Sequence, residues 1–80
     1  MTELPAPRSL VAAALDCRPD SITADSGLGR HPAWDSVGHL AVMLALESHY
    51  GVALSDETIR RYDSFAAIAG RYGELSGQTS

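Results

Sequence analysis

Residues 37–50, Val-Gly-His-Leu-Ala-Val-Met-Leu-Ala-Leu-Glu-Ser-His-Tyr, hold nothing that breaks a helix except Gly38 in the first turn, and they constrain the fold more than any other part of the chain. The stretch shortly before them, Gly27-Leu28-Gly29-Arg30-His31-Pro32-Ala33, cannot be helical: two glycines leave the backbone loosely constrained and Pro32 lacks an amide donor. Gly51 follows as a helix C-cap. A helix must therefore start near Asp35 or Ser36, and either side-chain oxygen can cap it by accepting from an orphan amide. Ser36 sits at the positive end of that helix dipole, which stabilises an anion by about 0.3–1 kcal/mol at an exposed site. Asp35 opposes a phosphate there by charge. On spacing alone, a plain capping serine is the simpler reading.

The rest of the chain reads as three further helices. Pro7 fits a first helical turn, and Leu10, Val11, Ala14 and Leu15 share one face of a helix that ends before Pro19. Residues 18–35 form a long connection, with Ile22 and Leu28 as its expected anchors in the core. After Gly51, Val52 and Leu54 are expected to plug the core, and Ser55 or Asp56 to open a short third helix carrying Arg60 and Arg61. Ser64 caps a fourth, where Phe65, Ile68, Ala69 and Tyr72 keep helical spacing and Gly73 with the polar tail brings it to an end. Without strand alternation or repeats, the expected fold is all-α: a small antiparallel four-helix bundle of three longer helices and a short third one. It forms one domain over residues 1–80, ordered at about 7–75, with frayed tails at 1–6 and 76–80.

At about 100° per residue the second helix carries two apolar stripes. Leu40, Met43, Leu46 and Tyr50 are expected to face the core, while Val37, Ala41 and Leu44 make a second stripe that begins beside Ser36 and is either a surface for docking partners or further core of a broadly buried helix. His39 and His49 fall at positions read as solvated or interfacial.

Four stretches together resemble the acyl carrier protein family, including its aminoacyl and peptidyl carriers. Asp35-Ser36-Val37 is similar to the family's Asp-Ser-Leu attachment motif, and residues 39–47 to its second helix. Tyr50-Gly51-Val52-Ala53-Leu54 is similar to the turn that follows, and Ser64-Phe65-Ala66-Ala67-Ile68-Ala69 to the start of the last helix. The likeness covers about residues 8–73. It implies a 4′-phosphopantetheine arm on Ser36, donated from coenzyme A by a phosphopantetheinyl transferase, with Asp35 serving transferase recognition or capping. The arm's thiol would hold an acyl or aminoacyl thioester, supplied by an adenylating ligase or acyltransferase and passed to a downstream synthase or transferase. Val37, Ala41, Leu44, Arg60 and Arg61 would meet these partners. Two departures qualify the likeness. Val37 replaces leucine, and Glu47 is the sole acid between Asp35 and Asp56, which separates this chain from carriers of primary fatty-acid synthesis. Together with Trp34, that favours a free-standing carrier in polyketide or nonribosomal-peptide biosynthesis. An unmodified helical adaptor and a fatty-acid-synthesis carrier are the alternatives.

Charge and cysteine usage point the same way. A formal net charge of -4 argues against nucleic acid, whose phosphates demand clustered cations. Cys17, the single cysteine, permits no internal disulfide and suits a half-buried small hydrophobe. There is no run of about 18 apolar residues and no leader pattern, so the expectation is a cytoplasmic monomer without a membrane partner. Enzyme chemistry would make Ser36 a nucleophile with His39 and Asp35 behind it, but the three crowd one turn with no separate oxyanion site, and Gly-x-Ser-x-Gly is absent. No catalytic residue is therefore assigned. A metal site on His31, His39, His49 and Cys17 is disfavoured because His39 and His49 lie several turns apart.

Overall fold

The computed structural model describes residues 4–77. Four helices carry its regular structure: α1 (Pro7–Leu15), α2 (Ser36–Tyr50), α3 (Asp56–Arg61) and α4 (Phe65–Gly77), with one 3-10 turn at Pro19–Ser21. Each boundary has a local cause. Pro7 stands in the first turn of α1, and Asp16 closes that helix in the left-handed conformation at φ 57°, returning its amide to the carbonyls of Ala12 and Ala13. Asp35 caps α2, and Gly51 ends it at φ 69°, a conformation that costs glycine no side-chain clash. Ser55 and Thr58 form a reciprocal capping box on α3, and the Ser64 hydroxyl accepts from the Ala67 amide on α4.

One core joins these elements. Leu10, Val11, Ala12 and Leu15 of α1 pack with Val42, Met43, Leu46 and Tyr50 of α2 and Ile68 of α4. Ile22, Trp34, Val52 and Tyr62 are supplied by the connections. Helix α1 lies against both α2 and α4, so the molecule is a small all-α bundle. Its radius of gyration, 11.7 Å, matches the value of about 11.6 Å that close packing gives a chain of this length. Among the described residues there is no strand, only an isolated antiparallel bridge between Gly27 and Ser64.

Several expectations change. Leu40 is 57% exposed, so it leaves the core stripe, and Val42 and His39 take the inward positions beside Met43, Leu46 and Tyr50. Leu28 and Leu54 are exposed as well. The connection between α1 and α2 is anchored instead by Ile22, Ser26 and Trp34, and that between α2 and α3 by Val52. Helix α4 does not stop at Gly73 but continues to Gly77, taking in Ser76 from the expected tail. Residues 4–6 are also tied down: Leu4 packs on the core and the Pro5 carbonyl accepts a 2.6 Å bond from the Tyr50 hydroxyl. The remaining tail positions, 1–3 and 78–80, lie outside the described residues.

Candidate functional site

Asp35, and not Ser36, is the cap of α2. Its Oδ1 accepts from the Gly38 amide at 2.9 Å, and its carbonyl accepts the first intrahelical bond from His39 at 2.7 Å. Ser36 is thereby moved to the first helical position, exposed, and among the described residues its hydroxyl has no hydrogen-bond partner. The amides of Ser36 and Val37 also have no protein acceptor among the described residues, leaving donors at the positive end of the helix. An accessible hydroxyl beside two unpartnered helix amides suits a tethered phosphate, which the neighbouring Asp35 carboxylate would oppose by charge.

The loop before Ser36 is held from several sides. The Leu28 amide donates to the Asp63 carbonyl at 2.8 Å, and the Phe65 amide to the Ser26 carbonyl at 2.9 Å, joining the loop to the α3–α4 connection. The Trp34 amide donates to the His31 carbonyl, and the Gly29 amide to the Trp34 carbonyl, both at 3.0 Å. His31 Nδ1 accepts from the Ala33 amide at 3.1 Å, so its Nε2 carries the hydrogen and donates to the Ser21 hydroxyl at 3.1 Å. Gly38 permits the closest approach, since a Cβ there would collide with the Ala33 carbonyl and with Leu15.

His39 is the residue that sequence reasoning misplaced. It is 5% exposed and lies beneath the site, not in solvent. The indole Nε1 of Trp34, itself fully buried, donates to His39 Nδ1 at 3.0 Å, while His39 Nε2 meets the Ile59 carbonyl of α3 at 2.7 Å. An indole can only donate and a carbonyl can only accept, so the ring is neutral with its hydrogen on Nε2. A signal for this was present in the sequence: His39 stands three, four and seven residues before Val42, Met43 and Leu46, on the same helical face.

Val37 (78% exposed), Leu40 and Leu44 (55%) face outward on α2, with Ala41 partly buried among them. Arg60 and Arg61 are exposed on α3, whose last turn the His39–Ile59 bond holds alongside the first turn of α2. Arg61 pairs with Glu57 at 3.2 Å, and among the described residues Arg60 makes no ion pair. The relay of Asp35, His39 and Ser36 that enzyme chemistry would require is not assembled, because both ring nitrogens of His39 and the Asp35 carboxylate are engaged elsewhere. Cys17 is half-buried, His49 is exposed, and no three potential metal ligands cluster among the described residues. Nor is any helix among them long and apolar enough to cross a membrane. A scan against protein-family models and a search of curated proteins both find no match for this chain.

Proposed function

We propose that the chain is an acyl or aminoacyl carrier, bearing 4′-phosphopantetheine on Ser36 and serving natural-product biosynthesis of the polyketide or nonribosomal-peptide type. The observation that carries this is the division of labour at the start of α2. Asp35 does the capping, which leaves Ser36 exposed, without a hydrogen-bond partner among the described residues, and next to free helix amides. A serine conserving helix stability would be expected to occupy the cap itself. When bound, the arm supplies a thiol that holds the cargo as a thioester.

The chain's own residues present that arm. The Ser36 oxygen would carry the phosphate and the unpartnered amides of Ser36 and Val37 would favour its charge, while the hydrogen-bonded loop before Ser36 holds the attachment point against the bundle. Tethering raises the effective concentration of cargo at each partner without any catalytic group on the carrier. Val37, Leu40, Ala41 and Leu44 offer an apolar surface for the transferase, the loading ligase or acyltransferase, and the downstream synthase, with Arg60 and Arg61 at its side. The proposal includes the antiparallel order of the bundle, a monomeric state and a cytoplasmic location.

The test is intact-protein mass spectrometry after incubation with coenzyme A, magnesium and a broad-specificity phosphopantetheinyl transferase. One phosphopantetheine adduct is expected on the wild type and none on Ser36→Ala, with unchanged helical circular dichroism in the variant. No adduct on folded wild-type protein would replace this proposal with an unmodified helical adaptor.

A further inference from the structure

Helix α3 is thinly attached. It spans six residues, none of them buried, and most of its polar bonding is internal or to the adjoining turn. The segment is anchored at its two flanks by the buried side chains of Val52 and Tyr62. Between those anchors, Ile59 packs partly on the core, and its carbonyl takes the 2.7 Å bond from His39 Nε2. That carbonyl is the first one left without an intrahelical partner at the end of α3, since the last helical bond runs from the Tyr62 amide to the Thr58 carbonyl at 3.0 Å.

We propose that α3 is a strap clipped to the bundle by His39, with the ring joining Trp34 of the Ser36 loop to the C-terminal carbonyl of α3, and that opening the clip frees the strap while the bundle stays folded. The ring works in one tautomer only. Nδ1 must be bare to accept from Trp34, and Nε2 must carry the hydrogen that Ile59 accepts. The helix bearing Arg60 and Arg61 stands beside the Ser36 end of α2 because this ring holds it there. Loss of the clip removes a partner from a part-buried carbonyl and from a helix with no fully buried side chain of its own, so local opening of α3 is the least costly response.

Amide hydrogen exchange on the unmodified protein tests this by comparing His39→Asn with His39→Gln. The shorter amide can accept from Trp34 but cannot reach Ile59, whereas the longer one places its NH2 group near the position of Nε2. In His39→Asn, exchange at Ile59 and Tyr62 is expected to rise at least tenfold relative to Val42, Leu46 and Ile68, and His39→Gln is expected to restore most of the difference. Uniform acceleration across all four helices, or no change in α3, would overturn the proposal by making His39 an ordinary core residue. If His39→Asn does not fold, 15N spectra of the wild-type imidazole decide: the Nε2-protonated tautomer supports the clip, and the Nδ1-protonated tautomer or a rapidly averaging ring overturns it. These readouts need no arm on Ser36, so they stand or fall apart from the carrier function.

Discussion

At the residue scale, Gly38 shows how a position that looks like a local weakness can be a fitted contact. Glycine in a helix interior costs up to about 1 kcal/mol relative to alanine, and the sequence offers no reason to accept that cost. The reason lies across the loop, where the Ala33 carbonyl and the Leu15 Cδ2 occupy the space a Cβ would need, the latter at 2.8 Å. A Gly38→Ala variant must push back the loop that leads to Ser36 or shift α1. Overpacking of this kind costs about 1–3 kcal/mol, which exceeds the gain in helix propensity. Thermal unfolding should therefore show a lower Tm, by roughly 4–8 °C per kcal/mol in a domain of this size. An equal or higher Tm would mean that the loop yields freely and that its contact with α2 contributes little.

At the scale of the element, α2 is apolar on opposite faces. Taking about 100° per residue, His39, Val42, Met43, Leu46 and Tyr50 fall within one arc of about 100°. Leu40, Leu44, Val37 and Ala41 fall within another arc, centred on roughly the other side. Helix starts were legible in the sequence because proline, glycine and short polar residues act locally, whereas the end of α4 was not, since Gly73 does not stop it. The facing of α2 was not, since a helix with two apolar stripes has no single periodic solution. Leu40 lies between the stripes by sequence, and only the burial of His39, through partners five and twenty residues away, turns the helix so that Leu40 points outward. Leu28 and Leu54 were misjudged for a related reason, because an apolar residue in a connection carries no period that assigns it a side. Ser36 was legible as a helix-start serine, whereas its release from capping required the Asp35 geometry. Leu44→Glu and Leu40→Glu should each leave stability within about 0.5 kcal/mol, as exposed substitutions do, and Leu44→Glu should weaken capture by a loading enzyme at least tenfold. Urea unfolding and binding measured on the same preparations check this, and a stability loss above that range with intact binding would return Leu44 to the core.

At the scale of the whole molecule, Tyr50 joins parts distant in sequence. Its hydroxyl donates to Pro5 in the N-terminal segment at 2.6 Å, and its ring lies 5.9 Å from that of Tyr72 on α4, tilted by 39°. Burial, and then the neighbouring Tyr72, push the Tyr50 phenol up from 10.0 to about 12. A folded-state value above the unfolded one means that ionisation opposes folding. The contribution is fully present below pH 10 and is lost as pH rises through about 12. The wild type should accordingly lose stability over that window through this group. Tyr50→Phe should be about 1 kcal/mol less stable at neutral pH, having lost the Pro5 bond, and should lack this part of the alkaline decline. Tyr62 and Tyr72 remain in both proteins, so the difference between the two urea-unfolding profiles reports Tyr50 together with its coupling to Tyr72. Parallel profiles from pH 9 to 12 would show that the hydroxyl ionises as easily in the fold as outside it, and that the N-terminal segment is not held to α2 by this bond.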